Sequence, residues 1–149
     1  MVEWGDGVRR VAAMAVFILV LSEFKRWYDD WQSSRILRRL RELEERMRVE
    51  VREGWREADL EEYDGRDDRP VLLAVDGRVF NVWRSRHLYG PGGSYEELAG
   101  RDATRLLAKQ ILDASEDDGA PLTETELEQL RDWKGFFASK YEDCGPFVQ

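Results

Sequence analysis

Apolar residues follow three different patterns along the chain, and each pattern predicts a different kind of element. The run VAAMAVFILVL, Val11 to Leu21, is continuously apolar. From Ser34 to about Arg52, apolar residues instead recur every three or four positions, which places them on one face of a helix. Short β-branched runs and short helical patterns follow Gly54, a residue that can end the preceding helix. The last pattern is typical of a small domain of mixed α and β structure.

The N-terminal apolar run is interpreted as part of a membrane helix. Its eleven residues cover only about 16 Å of helix, less than the roughly 30 Å hydrocarbon core of a bilayer. Aromatic residues extend the segment on both sides, because Trp4 precedes it and Trp27, Tyr28 and Trp31 follow, an arrangement typical of membrane interfaces. We therefore expect one membrane helix within residues 1–31. A helix buried in a larger assembly is the alternative.

Residues 32–56 are predicted to form a charged amphipathic helical stalk. Glutamates alternate with arginines at spacings that permit ion pairs along a helix. The apolar stripe of this segment consists of Ile36, Leu40, Leu43, Met47 and Val51. The stripe spans too few heptads to distinguish a solvated stalk from a coiled coil or a helix that docks on another subunit.

Residues 57–149 are predicted to form the globular domain. GWREADLEEYDG indicates a short helix followed by a turn, and RPVLLAVDGRVFNVW contains two strand-like runs separated by Asp76-Gly77. Asp-Gly suits the two-residue type I′ turn, so we expect a β-hairpin.

Short helices are predicted after the hairpin. In HLYGPGGSYEELAGRDATRLLA, Ser94 and Glu97 fit a capping box that makes Tyr95 a first-turn residue, and Asp102 is a suitable N-cap for the next helix. After the acidic loop DASEDDGAP, Thr123 and Glu126 form a second capping box. It opens a final helix whose predicted core face is Leu127, Leu130, Trp133, Phe137 and Tyr141.

Charge and residue counts exclude several classes of function. The net charge is -8, and the two parts differ: residues 1–56 carry 12 basic and 10 acidic side chains, whereas residues 57–149 carry 11 and 21. An acidic domain is poorly suited to phosphate backbones, so we expect no nucleic-acid partner. The single cysteine, Cys144, cannot form an internal disulfide, and the single histidine, His87, excludes any site that needs two imidazoles. Since the chain has no nucleophile elbow and no phosphate loop, we do not expect an enzyme.

Tyr95 is the residue with the most distinctive chemistry. The free amides at a helix N-terminus favour negative charge, and a phenolate is an established protein ligand of haem iron. The preceding turn, Gly90 to Gly93, would let a flat macrocycle approach the backbone. A tyrosine beside a glycine turn is also a common packing residue, so the residues alone leave both roles open.

The span from about Asp59 to Tyr141 resembles the membrane-associated progesterone receptor family, a haem-binding branch of the cytochrome b5-like fold. The segments that carry the resemblance are VLLAVDGRVFNV, LYGPGGSYEELAGRDATRLLA and DWKGFFASKY. The second is the most specific, because its two tyrosines, its glycines and AGRDATR keep the family's spacing. The resemblance implies an α+β, cytochrome b5-like haem-binding domain, which family members commonly carry after an N-terminal membrane helix.

The resemblance also implies a set of haem-site residues. By position in the motif, Tyr95 would be the single tyrosinate ligand of the iron, with the opposite iron face left open. Tyr89, Lys140 and Tyr141 would form hydrogen bonds to that ligand or to the haem propionates. Asp102 matches a motif aspartate but is interpreted first as a helix cap, and His87 is interpreted as an exposed loop residue.

Two functions of different classes follow from these expectations. In the first, the protein is a membrane-anchored, intracellular haem protein that delivers electrons or haem to a membrane-bound partner. In the second, it is an accessory structural subunit of a large membrane complex, for example of the mitochondrial respiratory chain, that uses the domain as scaffold. The sequence does not distinguish the endoplasmic reticulum from the mitochondrial membrane.

Overall fold

The computed structural model describes residues 4–148 and divides the chain into two compact units, one ending at Arg46 and the other beginning at Met47. The first unit is a single helix, α1, Trp4–Arg46, of 43 residues. This helix continues without a break through residue 31, where the membrane segment and the stalk were expected to meet. The expected division of the chain into three segments stays a prediction.

The large apolar side chains of α1 between Val11 and Trp31 are exposed, Phe17 at 63% and Trp27 at 61% among them. No helix in the described part of the chain is both long enough and apolar enough to cross a membrane. The membrane helix expected from the sequence is therefore not supported. Any stretch of spanning length around the apolar run takes in charged residues that flank it, such as Arg9 and Glu23. The side chain of Trp4, one of the expected interfacial aromatics, lies outside the described residues.

The stalk helix ends earlier than predicted. α1 stops at Arg46, and the next residue, Met47, is buried in the second unit with 3% exposure. Its carbonyl accepts a hydrogen bond from the side-chain amide of Asn81 (2.8 Å). The segment that follows is non-helical, and Gly54, with φ of +74°, lies within it and does not end a helix. Burial of Met47 overrides the helical periodicity that continues through this segment.

The second unit contains a three-stranded antiparallel sheet. Strands β1, Leu72–Val75, and β2, Arg78–Asn81, form the predicted hairpin. Asp76 and Gly77 both have positive φ, 47° and 76°, as a type I′ turn requires. The third strand, β3, Glu142–Pro146, pairs with β2 and was not predicted. Its sequence, EDCGP, has little intrinsic strand propensity.

Two hydrophobic cores lie on the two faces of the sheet. Alternate residues of β1 belong to different cores, Leu73 and Val75 to one and Leu72 and Ala74 to the other, as the two-residue period of a strand requires. The larger core includes Phe80 of β2 and residues from the helices. The smaller core packs Val79 of β2 and Cys144 of β3 against Trp55 and Leu60.

Four helices complete the unit: α2, Glu57–Leu60; α3, Arg86–Tyr89; α4, Thr104–Lys109; and α5, Glu124–Lys140. The predicted capping box of α5 is confirmed, since the Thr123 amide donates to the Glu126 carboxylate (2.7 Å). Leu130 and Phe137 of α5 are buried as predicted, but Leu127 is 38% exposed. The expected core face is therefore wrong in the first turn, where α5 extends beyond the larger core.

Candidate functional site

The glycine turn places Tyr95 beside Tyr89. After α3 ends, the Gly93 amide donates to the Gly90 carbonyl (2.9 Å), and the Tyr95 amide donates back to the Leu88 carbonyl (2.8 Å). A side chain at Gly93 would lie 2.3 Å from the Leu88 carbonyl oxygen, so this position admits only glycine. The chain therefore reverses direction, and the two tyrosine rings lie 5.9 Å apart.

The structure does not place Tyr95 in the first turn of an α-helix, where the sequence predicted it. Tyr95 is the N-cap of a single 3₁₀ turn, Glu96–Leu98, and its side chain makes no capping hydrogen bond. The carboxylate of Glu96 accepts from the Gly92 amide, so the glycine turn is fastened by Glu96 and not by a Ser94–Glu97 capping box. One 3₁₀ turn carries little macrodipole, so the helix-dipole argument for a Tyr95 phenolate does not apply here.

Tyr141 joins the same group of rings from the other side of the molecule. It follows α5 directly, and its ring lies 6.2 Å from that of Tyr89. The Tyr141 hydroxyl donates to the hydroxyl of Ser85 (3.1 Å). Tyr89 and Tyr141 are 5% and 8% exposed, whereas Tyr95 is 41% exposed. The three tyrosines therefore form a row that is buried in the middle and open to solvent at Tyr95.

The hydroxyl of Tyr89 is held in its neutral form. Burial raises the pKa of this phenol well above its usual value, and Tyr141 and then Tyr95 add to the effect. A phenol that keeps its proton can donate a hydrogen bond to a neighbouring oxygen. Tyr89 therefore keeps its proton at neutral pH and can donate a hydrogen bond at the buried centre of the row.

Lys140, the last residue of α5, places its ammonium beside the same row. The Nζ atom lies 5.3 Å from the centre of the Tyr141 ring and 5.1 Å from that of Phe136, within the range of cation–π attraction. The four residues expected at the site thus lie in one neighbourhood: Tyr95 at the open end, Tyr89 and Tyr141 buried behind it, and Lys140 on the outside of Tyr141.

Two other residues singled out in the sequence lie elsewhere. The Asp102 carboxylate accepts from the Thr104 amide (3.0 Å), and its own amide donates to Glu57 (3.1 Å). The N-cap of α4 is Ala103, one residue later than predicted. His87 is exposed, as expected, although it lies in α3 and not in a loop.

Sequence reasoning missed Ser85 and Phe136. Ser85 is buried and holds the Tyr141 hydroxyl, but nothing in the sequence distinguishes it from other serines. Phe136 lies off the predicted apolar face of α5, and this offset is the signal that could have identified it.

A conventional cluster of metal ligands is not found within residues 4–148, where no group of three or more His, Cys, Asp or Glu side chains could hold an ion. Cys144 is fully buried, and burial raises the pKa of its thiol to about 12, so it is not a thiolate at neutral pH. Tyr95, at 41% exposure, presents a phenol oxygen that an iron could reach from solvent.

Comparison with known proteins identifies the family. Residues 56–131 match the family described as "Cytochrome b5-like Heme/Steroid binding domain". The "Cytochrome P450 regulator dap1" of Schizosaccharomyces pombe is 41% identical over 106 residues, covering 63% of this chain and 64% of that protein. Human "Membrane-associated progesterone receptor component 2" is 41% identical over 95 residues, covering 60% of this chain and 43% of that protein. The chain therefore spans less than two thirds of the length of these relatives.

A solved structure supports the same assignment. An Arabidopsis thaliana protein described as having a cytochrome b5 like fold superimposes with a TM-score of 0.58 at 34% identity, covering 68% of this chain and 95% of that one. The resemblance predicted from the motifs around Tyr95 is thus confirmed, as is the α+β, cytochrome b5-like fold of the globular unit. The chain belongs to the cytochrome b5-like heme/steroid binding domain family and is similar to the membrane-associated progesterone receptor components within it.

Proposed function

We propose that this domain binds haem and that the Tyr95 phenolate is its single axial iron ligand. The observation that carries the proposal is the pairing of an exposed tyrosine with a buried one. Tyr95 is open to a ligand from solvent, and its ring lies 5.9 Å from Tyr89, whose pKa is raised by burial. A donor that cannot lose its proton is suited to stabilise a neighbouring phenolate through a charge-assisted hydrogen bond.

The remaining residues fit the other parts of a haem. The macrocycle is flat and apolar and bears two carboxylates, so it needs an aromatic surface and a cation. Tyr89 and Tyr141 supply the aromatic surface behind Tyr95, and Lys140 supplies the positive charge. Since the chain has one histidine, in α3 and exposed, the paired-imidazole ligation of ordinary cytochrome b5 is excluded.

The group would supply an iron that takes up and gives back one electron. The residues around it bind, orient and shield this group, and none is a nucleophile or general base activated for catalysis. We therefore propose a carrier that delivers electrons or haem to a membrane-bound partner, and not an enzyme. The relatives named as a cytochrome P450 regulator and a membrane-associated progesterone receptor component support a membrane-protein partner.

A second candidate is an accessory structural subunit of a membrane complex. The exposed apolar side chains of α1, including Phe17, Phe24 and Trp27, favour it, because an isolated helix does not normally leave such residues in water. In this case the b5-like domain would contribute surface and not redox chemistry.

Titration of the purified protein with hemin tests the first proposal. We expect the wild type to bind hemin with a phenolate-to-iron charge-transfer band. Tyr95→Phe should keep the fold, since it removes one oxygen from a partly exposed ring, but should lose the band and most of the affinity. Tyr89→Phe is the matched control, because it removes a hydroxyl from the adjacent ring. Tyr89→Phe should weaken hemin binding by about the free energy of one hydrogen bond, 0.5–1.5 kcal/mol.

The opposite pattern would refute the ligand assignment. Equal effects of the two substitutions, or an unchanged charge-transfer band in Tyr95→Phe, would mean that Tyr95 is a packing residue. A wild-type protein that stays colourless with added hemin yet copurifies in a stable membrane complex would favour the accessory subunit.

A further inference from the structure

The ammonium of Lys140 is held by aromatic faces and not by a carboxylate. Its Nζ atom lies over two neighbouring rings, 5.1 Å from the centre of Phe136 and 5.3 Å from that of Tyr141. No hydrogen bond or ion pair of Lys140 is found in the described part of the chain. Two other cations of this unit, by contrast, are paired with carboxylates: Lys134, also on α5, contacts Asp76 at 2.7 Å, and Arg78 contacts Asp143 at 2.6 Å.

Phe136 is itself an unusual residue for the surface of α5. It is 40% exposed, although the adjacent Phe137 is fully buried. Its ring makes edge contacts with Trp133 (5.8 Å), Phe137 (5.6 Å) and Tyr141 (6.2 Å). Three packed neighbours restrain the ring, so its exposed face is a fixed surface on which a flexible lysine can rest.

This surface adjoins the proposed haem site. Tyr141 contacts Phe136 on one side and Tyr89 on the other, and Tyr89 contacts Tyr95. The aromatic row is therefore exposed at both ends, at Tyr95 with 41% and at Phe136 with 40%. The proposed iron ligand belongs to one end, and the unpaired cation lies at the other.

We propose that Phe136 is a positioning residue, whose ring holds the Lys140 ammonium at the rim of the site so that it binds a haem propionate. This inference rests on the proposed function and adds to it a residue that does not contact the iron ligand. An ammonium has three donors and binds carboxylates as a point charge. Cation–π contact orients it without using those donors, so they stay available to the propionate.

The test compares hemin with its dimethyl ester, in which both propionate charges are removed. Phe136→Leu keeps an apolar side chain and removes the π face, whereas Phe136→Tyr keeps the π face. An exposed cation–π contact contributes little, so we expect Phe136→Leu to weaken hemin binding by about two- to fivefold. Binding of the dimethyl ester should not change, and Phe136→Tyr should bind hemin as the wild type does.

Two lysine variants complete the design. Lys140→Met should weaken hemin binding more than Phe136→Leu does, and should not affect the dimethyl ester. Adding Phe136→Leu to Lys140→Met should have no further effect, because Phe136 acts through the ammonium. Lys134→Met removes the same charge from the same helix at a paired lysine and should leave hemin affinity unchanged.

Three outcomes would overturn the inference. The first is equal weakening of hemin binding and of ester binding by Phe136→Leu, which would make the ring a simple apolar wall. The second is unchanged hemin binding in Phe136→Leu. The third is an additive effect of Phe136→Leu and Lys140→Met on hemin affinity. A wild type that binds neither hemin nor the ester refutes the proposed function itself, whereas each of the three outcomes leaves wild-type hemin binding intact.

Discussion

Tyr95 follows Tyr89 by six positions, and their rings are in contact because the glycine turn reverses the chain between them. The turn depends on Gly93, where any side chain would collide with the Leu88 carbonyl. Burial is the main cause of the chemical difference between the two tyrosines. Both carry the same phenol, but the buried Tyr89 has its pKa raised, first by burial and then by Tyr141, whereas Tyr95 is 41% exposed and accessible from solvent. At the scale of single residues, the environment therefore makes two identical side chains chemically different.

The environment of Asp117 lowers the pKa of its carboxyl group, whereas that of Tyr89 raises the pKa of its phenol. The Asp117 carboxylate accepts hydrogen bonds from Nε and Nη2 of the Arg105 guanidinium (2.5 and 2.8 Å), and the ammonium of Lys109 lies 2.9 Å away. The Arg105 hydrogen bond first, and then that of Lys109, holds the pKa of Asp117 well below its ordinary value of 3.8. These contacts fasten the acidic loop that follows α4.

A depressed pKa makes the contribution of Asp117 to stability depend on pH. Since the folded pKa lies below the unfolded one, the contribution is fully present above about pH 4 and is lost as the pH falls further. We expect Asp117→Asn to lower the thermal midpoint at pH 7, and the difference from wild type to shrink below pH 4. Asp132→Asn, on the exposed side of α5, is the control, and it should leave the thermal midpoint unchanged both at pH 7 and below pH 4. A difference that stays constant from pH 7 to pH 2 would contradict the pKa assignment.

At the scale of elements, α5 and β3 together position the basic end of the site. α5 ends at Lys140, Tyr141 adopts an extended conformation, and β3 begins at Glu142. Pairing of β3 with β2 fixes where the helix must stop, so Lys140 and Tyr141 are held at a junction between two elements. The position of a residue at such a junction depends on the folding of both the helix and the strand beside it.

The faces of α5 differ in what they contribute to stability. Phe137 is fully buried against Phe80, Tyr89 and Tyr141, whereas Leu127 is 38% exposed. We expect Phe137→Ala to cost about 3–5 kcal/mol of unfolding free energy and Leu127→Ala under about 1 kcal/mol. Urea denaturation of both variants measures the two values. Similar losses for the two substitutions would mean that the first turn of α5 is packed as firmly as its last.

At the scale of the whole molecule, both hydrophobic cores belong to the second unit, which begins at Met47. The family match covers residues 56–131, but the cores also take in Trp55, Phe137, Tyr141 and Cys144. The indole of Trp55 donates to the Cys144 carbonyl (2.8 Å), which links the segment before the matched region to β3 after it. The folding unit is therefore longer than the matched region at both ends.

Two fragments test this extent. A chain of residues 47–149 contains both cores and should unfold cooperatively at nearly the thermal midpoint of the full-length protein. A chain of residues 56–131 lacks Trp55, β3 and the last turns of α5, and should show no cooperative transition, since its small cores would be incomplete. Cooperative folding of the shorter fragment would show that β3 and Trp55 are dispensable.

Local signals in the sequence were sufficient for several parts of this structure. The Asp76-Gly77 turn and the Thr123–Glu126 capping box were predicted correctly because the interactions that form them lie within four residues of each other. The family was identified for a related reason. Its motif fixes a glycine turn and the tyrosines beside it, and these features can be read directly from spacing.

Other features of the structure depend on contacts between residues that are far apart in the sequence. β3 has a sequence unsuited to a strand and forms one because β2 offers it hydrogen bonds, and α1 ends at Arg46 because Met47 is buried in the second unit. Proximity of Lys140 and Tyr141 to Tyr89 also required the fold, since about fifty residues separate them along the chain. The Asp76-Gly77 turn, the Thr123–Glu126 capping box and the family could be read from the sequence because they rest on short-range geometry, whereas burial and strand pairing depend on long-range contacts that no local pattern contains.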